Sequence, residues 1–248
     1  MLAGALGLRR LDLYLQFDRA LSEDELSLFR AQVARRAHGE PVAYVVGHKE
    51  FMALDFEVTP AVLVPNPDTE LLVQLAVARA REAGRPLRMA DVGTGSGCIA
   101  VTAAHYSADL EVWASDISSE ALEVATRNVA KNSLGARVHL ACGDLMTPLP
   151  GTFDLICANL PYLTAGVPLP AAVVAQPSVA LYAEEGGAAL VMRLLEAAPV
   201  RLKPDGRVLL EVDPSILASV LEVADRNFAG RRVHQDLAGH ERVVEAWS

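Results

Sequence analysis

Short apolar runs and amphipathic stretches take turns along the last two thirds of the chain. MADV (89–92), EVWASD (111–116), RVHLACGD (137–144), FDLICAN (153–159) and RVLLEV (207–212) read as strands, and MADV is short and apolar enough for a buried one. Between and after them, 98–106, 118–134, 187–202 and 214–228 carry helical periodicity, and 160–185 reads as a loop. A closing pair of strands falls near 231–237 and 241–247. Alternating strand and helix predict an α/β fold with a doubly wound, mostly parallel sheet. The short gap between the last two strands predicts one antiparallel edge.

The first sixty residues follow a different pattern. Residues 1–38 read as helical, with Ser22 as N-cap of the run 21–37 and Glu25 three residues later completing a capping box. Leu26, Phe29 and Val33 share one helical face. Residues 39–60 alternate and are rich in β-branched and aromatic side chains around Gly47–His48, which predicts a β-hairpin bridge. Pro65 and Pro67 then stop the chain, and Asp68 or Thr69 is placed to cap a helix running to about 82. The expected organisation is a helical region at 1–38, a hairpin linker at 39–60 and the α/β domain at 61–248.

Composition narrows the function. The 248 residues are 52% hydrophobic, enough to bury a substantial core. Against 31 acidic residues stand 22 basic ones, a net charge of −9, which disfavours non-specific grip on nucleic acid. Cys98, Cys142 and Cys157 are an odd count without framework spacing, so reduced, buried thiols are expected, and no Cys/His cluster has the spacing of a zinc site. With neither a signal peptide nor an 18-residue apolar stretch, a soluble cytoplasmic protein that makes no membrane contact is expected.

The sharpest local signal is DVGTGSGCIA (91–100). Gly93, Gly95 and Gly97 allow a tight turn and close approach of a ligand, while the helix that follows offers unpaired N–H groups to an anion. No Gly-Lys-Ser/Thr follows, so the loop is not a P-loop; Cys98 stands where a dinucleotide fingerprint needs its third glycine. The remaining reading is S-adenosylmethionine, its carboxylate held along Gly93, Thr94, Gly95, Ser96 and Gly97. Asp91 would orient the loop and face the amino or sulfonium end. Asp116 ends the next strand, where a carboxylate accepts from both ribose hydroxyls. Asp144 would accept from the adenine amine, with Leu145 packed on the ring. Each residue alone has a plainer reading: Asp116 as a helix cap, Asp144 as a turn residue. Their joint placement at the carboxyl ends of successive strands favours a ligand site.

The fourth strand ends in Asn159-Leu160-Pro161-Tyr162. An amide or aromatic amine nitrogen has a delocalised lone pair and must be held with that lone pair aimed at the methyl carbon. The Asn159 oxygen and the Leu160 carbonyl can each accept one N–H of such a group. Pro161 stiffens the backbone, and Tyr162 offers a face to the planar group. Asn159, Pro161 and Tyr162 are therefore the candidate catalytic residues, Leu160 joins them in binding substrate, and Asn159 also borders the cofactor. As a bare tetrapeptide this would be a strand-ending turn.

Together, GEPVAYVVGHKEF (39–51), VLVPNPDTELL (62–72), DVGTGSGCIA, SDISSEAL (115–122), GDL (143–145), the tetrapeptide and DLAGHERVV (236–244) resemble the peptide chain release factor N5-glutamine methyltransferases over nearly the whole chain. The resemblance implies a seven-stranded S-adenosylmethionine-dependent methyltransferase domain, a hairpin and a helical N-terminal docking region. It implies methylation of the glutamine in the Gly-Gly-Gln loop of class 1 peptide chain release factors, with no direct nucleic-acid partner; a monomer is expected. Phe51 matches a family aromatic near the active-site mouth, with a hairpin-core role as the alternative. Three departures stand out. Leu160 replaces the family's usual proline, Asn66 replaces a common arginine, and the N-terminal region looks short by a helix or two, which would weaken docking. The competing readings are glutamine methylation of a ribosomal protein, adenine-amine methylation of DNA or RNA, and cofactor binding without catalysis.

Overall fold

The computed structural model describes residues 1–163, 168–182 and 187–248. Three helices open the chain: α1 (Leu2–Ala5), α2 (Arg10–Leu15) and α3 (Glu23–Ala37). The capping box of α3 forms as expected, with the Glu25 N–H donating to Ser22 Oγ at 3.2 Å and the Ser22 N–H donating to Glu25 Oε2 at 2.9 Å. Val33, at helical spacing with Leu26 and Phe29, is exposed; Gln32 is the buried residue of that helix.

The stretch expected to be all hairpin begins instead with a short helix, α4 (Val42–Val46), closed by Gly47 at φ +82°. The hairpin itself is β1 (His48–Phe51) and β2 (Leu54–Glu57), and it turns at Met52–Ala53 rather than at Gly47–His48. Met52 and Ala53 both have positive φ, +46° and +62°. Turns of this kind favour Asn-Gly, and these two residues carry none of that signal. Phe51 is 2% exposed and packs edge-on against Phe56, so it belongs to the core and not to a cleft wall.

A 3-10 turn over Pro67–Thr69 leads into α5 (Glu70–Ala83). Asn66, and neither Asp68 nor Thr69, supplies the capping side chain: its Oδ1 accepts the Asp68 N–H at 3.2 Å. The domain then continues through β3 (Leu87–Val92), α6 (Cys98–Tyr106), β4 (Leu110–Asp116), α7 (Ser119–Lys131), β5 (Val138–Cys142) and β6 (Phe153–Ala158). The expected loop 160–185 contains two helical turns, α8 (Ala171–Val174) and α9 (Ser178–Leu181); residues 164–167 and 183–186 lie outside the described residues. Then come α10 (Ala189–Ala197), β7 (Leu202–Glu211), α11 (Pro214–Asn227), β8 (Gly230–Gln235) and β9 (Glu241–Trp247).

The seven-stranded sheet runs β5-β4-β3-β6-β7-β9-β8; its first five strands are parallel and β9 and β8 pair antiparallel. The strand alternation explains the two layers. On β6, Leu155 and Cys157 join the core under α5 and α6, while Ile156 and Ala158 join the core under α10 and α11. All six β6 residues are buried, as a strand covered on both faces requires. The chain leaves β3 towards β4 on one side and returns as β6 on the other. That reversal opens a crevice at the carboxyl ends of β3 and β6, the usual binding position in such sheets. Cys157 is buried, but Cys142 is exposed and Cys98 half-buried, so only one of the three thiols behaves as an interior residue.

Candidate active site

Asp91, the second-last residue of β3 before the glycine loop, is fully buried. Its Oδ2 accepts the Thr94 hydroxyl at 2.6 Å and the Ala100 N–H at 3.1 Å, which ties the loop to the start of α6. Burial pushes its carboxyl up to about 7, the two donated bonds work against that, and Asp116 adds a further upward push. Its Oδ1 has no hydrogen-bond partner among the described residues. Asp91 sits beneath the loop, outside the wall of the cleft.

Gly93, Gly95 and Gly97 all have positive φ, at +76°, +54° and +80°. A Cβ on Gly93 would stand 2.8 Å from Leu160 Cδ2, whereas one on Gly95 would meet nothing within 4 Å of it in the protein. Gly97 turns into α6 and would bring a Cβ within 3.3 Å of Ala125. The open space over Gly95 is on the cleft side: Gly93, Thr94, Gly95 and Ser96 line a cavity of about 230 Å³ with Asp116, Asp144, Leu145, Asn159, Leu160 and Pro161.

Asp116 is half-buried at the end of β4. Its Oδ2 accepts the Gly95 N–H at 2.8 Å and its Oδ1 accepts the Ser118 N–H at 2.9 Å. Ser118, not Asp116, caps α7. Each Asp116 oxygen keeps one lone pair for a ligand, so the carboxylate can hold the loop and accept from a diol at once. Asp144 is paired with Arg193 across the cleft rim. Leu145 has φ +46°, and the Ser115 hydroxyl holds its carbonyl at 2.7 Å. These residues fit an adenosine with an amino-acid tail: a backbone cradle, a diol acceptor, and an apolar wall closed by Leu190 and Ile117.

Asn159 follows β6. Its Nδ2 donates to Thr69 Oγ1 at 3.0 Å. Beyond it the cleft continues along Leu160, Pro161, Tyr162, Glu211 and Asp213, and Lys49 and Asn66 also line it. Burial pushes the Tyr162 hydroxyl up to about 12, aided by Glu211 and Asp213. Glu211, 4% exposed, is raised by burial to about 7; the Thr69 hydroxyl opposes this by hydrogen bonding, Asp68 reinforces it, and Arg242 and the Asn159 amide oppose it. Arg242 is bound to Asp68 at 3.1 Å and Asp236 at 3.0 Å. The segment after the tetrapeptide borders the cleft through Leu169, Val173, Gln176 and Ala180, and Gln176 Oε1 accepts the Val64 N–H at 2.9 Å.

Thus Gly93, Thr94, Gly95, Ser96, Asp116, Asp144, Leu145 and the tetrapeptide come together around one cleft, while Asp91 and Gly97 support it from behind. Sequence reasoning missed Thr69 and Glu211, and it missed Asn128. Asn128 is fully buried on α7: its Oδ1 accepts the Glu57 N–H at 2.7 Å, and its Nδ2 donates to Ser96 O at 2.8 Å and Glu57 O at 3.0 Å. It thereby clamps the hairpin to the glycine loop. A lone Asn on a helix face carries no signal of that.

A family model described as the PrmC N-terminal domain matches residues 1–47, and one described as the methyltransferase small domain matches residues 66–176. A release factor glutamine methyltransferase from Rhodopirellula baltica is 39% identical over 98% of this chain and 86% of its own length. The chain belongs to the release factor glutamine methyltransferase family. A second member, from Moorella thermoacetica, is 40% identical over all of this chain and 89% of its own. Among solved structures, a Thermus thermophilus 16S rRNA guanine methyltransferase in complex with AdoMet and guanosine superposes with a TM-score of 0.62 at 18% identity, covering 81% of this chain and 49% of that one. That likeness is one of fold. The family assignment makes this chain a methyltransferase, and no helix among its described residues is long and apolar enough to cross a membrane.

Proposed function

We propose that this chain transfers a methyl group from S-adenosylmethionine to the side-chain amide nitrogen of the glutamine in the Gly-Gly-Gln loop of class 1 peptide chain release factors, in the cytoplasm. The observation that carries the reading is the orientation of Asn159. Its amide nitrogen is committed to Thr69, which leaves Oδ1 to accept an N–H from a substrate amide in the cleft.

The backbone of Gly93–Gly97 would hold the carboxylate of S-adenosylmethionine, Asp116 its ribose, and Asp144 with Leu145 its adenine. S-adenosylmethionine supplies an electrophilic methyl on a sulfonium. The protein's part is positional. Asn159 Oδ1 and the Leu160 carbonyl would take the two N–H groups of the glutamine amide, and Pro161 and Tyr162 would bound its plane. Holding the amide this way points its π lone pair along the transfer axis, and positioning of that kind supplies several kcal/mol of rate enhancement, of the ~7–11 available to well-oriented reactants. The N-methylated amide cation first formed is strongly acidic and releases its extra proton readily.

Docking of the release factor is assigned to the helical region 1–38, bridged by 39–60 to the domain at 61–248. Support comes from α2 and the turn after it, where Leu11, Tyr14, Leu15 and Phe17 are all more than 60% exposed. The catalytic reading is tested with Asn159→Ala. Turnover on release factor should fall by at least about a hundredfold, the loss typical of a positioned polar group at the reacting atoms, with the fold kept. Near wild-type turnover in a folded variant would refute the role of Asn159.

A further inference from the structure

The carboxyl ends of β6 and β7 lie side by side. Ala158 pairs with Leu210, so the next residues along, Asn159 and Glu211, emerge as neighbours from adjacent parallel strands. Thr69 reaches them from the 3-10 turn before α5 and is 2% exposed. Its hydroxyl oxygen accepts from Asn159 Nδ2 at 3.0 Å. A hydroxyl that accepts there has its single hydrogen free to donate, and the buried Glu211 carboxyl is the acceptor beside it. The Asn159 amide is a second polar group close to the same carboxyl. Glu211 Oε2 is buried without a partner of its own among the described residues.

With Glu211 ionised, as it is above about pH 7, the donor and acceptor inventory leaves one consistent arrangement. An ionised carboxylate only accepts, so the groups around it must present hydrogens. Turning the Asn159 amide over would aim its oxygen at the Glu211 carboxylate and at a hydroxyl oxygen whose hydrogen is already committed. Two acceptors would then face each other in a buried site, at a cost on the order of 1–3 kcal/mol.

We propose that Thr69 and Glu211 are positioning residues that lock the Asn159 amide with Oδ1 towards the cleft and so set the geometry in which the substrate amide is held. The proposal rests on the role given to Asn159 above. Neither residue touches the reacting atoms in this account. Glu211 acts through Thr69 and directly on the Asn159 amide, and Thr69 acts through Asn159.

The test is a set of four variants, Thr69→Val, Thr69→Ser, Glu211→Leu and Glu211→Gln, assayed beside wild type with intact release factor. Valine keeps the shape of threonine and removes the hydroxyl. Thr69→Val and Glu211→Leu should lower kcat by on the order of tenfold, the value of one positioned hydrogen bond, with KM for release factor, affinity for S-adenosylmethionine and thermal midpoint held close to wild type. Thr69→Ser, which restores the hydroxyl, and Glu211→Gln, which keeps an acceptor oxygen, should recover most of the rate. A second readout is independent of substrate: the side-chain NH₂ resonances of Asn159 in ¹⁵N-labelled protein, identified by their loss in Asn159→Asp. Slow exchange of these protons with solvent in wild type and Thr69→Ser, and fast exchange in Thr69→Val, supports the lock. Unchanged kcat in Thr69→Val overturns it, as does a loss shared equally by cofactor affinity and stability. Should wild type itself fail to methylate release factor, the functional reading falls, and the exchange measurement still decides the lock by itself.

Discussion

Leu160 Cδ2 occupies the position 2.8 Å from where a Cβ on Gly93 would stand, so the residue that departs from the family's usual proline is packed directly on the first glycine of the cofactor loop. Leu160 is 4% exposed and belongs to the core under α10 and α11, which limits its freedom to swing aside. Gly93 also has φ +76°, a conformation that costs an L-residue about 1–2 kcal/mol. Gly93→Ala should therefore lower stability by at least that amount and weaken S-adenosylmethionine binding by about tenfold or more, as read by denaturant titration and calorimetry. Wild-type affinity in this variant would show that the loop tolerates a side chain where the packing says it cannot.

Leu160→Pro separates packing from chemistry. The substitution keeps the carbonyl assigned to the substrate amide and removes aliphatic atoms from the core. Stability should drop by roughly 1–3 kcal/mol, the range for deleting buried methyl groups. The rate of methyl transfer should stay at the wild-type value or rise, because the backbone is stiffer. A tenfold fall in kcat, against the account, would give the leucine side chain a role at the reacting atoms.

Asp116 holds Gly95 and Ser118 with its two oxygens. Asp116→Asn places an NH₂ against one of those N–H donors and loses the charge offered to the ribose. Loss of a charged hydrogen bond costs about 1.5–3 kcal/mol, so cofactor affinity should fall by on the order of 10- to 100-fold. Calorimetric titration with S-adenosylmethionine measures this; a change under twofold contradicts the diol assignment.

Asp91 links the loop to pH. Its folded-state carboxyl is raised from 3.8 to about 7. A raised carboxyl contributes stability that is full below its unfolded value and is lost as pH rises through the folded one. Glu211, raised from 4.5 to about 7, acts in the same direction. Asp91→Asn removes one of these titrations while keeping an oxygen for Thr94 and Ala100. The variant should gain stability relative to wild type as pH rises from about 4 to about 8. A difference that stays flat across that window would mean that Asp91 does not titrate there.

Much of this arrangement was legible in the chain. The apolar runs of β3 and β6 and the capping box of α3 are local, so periodicity and short-range chemistry reveal them. The positions of Asp116, Asp144 and Asn159 follow from strand ends, and strand ends follow from the same periodicity. What escaped was held by contacts between distant segments. Thr69 reads as a helix cap until β6 and β7 bring Asn159 and Glu211 beside it. Asn128 reads as an ordinary helix residue until β2 arrives to take two of its hydrogen bonds. The Met52–Ala53 turn escaped because neither residue favours positive φ; the Tyr106 hydroxyl holds the Met52 carbonyl there at 2.7 Å. Helix α4 escaped because VAYVV has the composition of a strand, and tertiary packing of Ala43, Tyr44 and Val45 overrides that preference.

The most direct measurement follows the labelled methyl group. Purified protein is incubated with methyl-labelled S-adenosylmethionine and, in parallel, a class 1 release factor, its Gly-Gly-Ala loop variant, a glutamine-methylated ribosomal protein in its unmodified form, and DNA. Label is expected on the Gly-Gly-Gln protein alone. Label on the Gly-Gly-Ala variant, on the ribosomal protein or on DNA, or on none of them with cofactor binding intact, would contradict it.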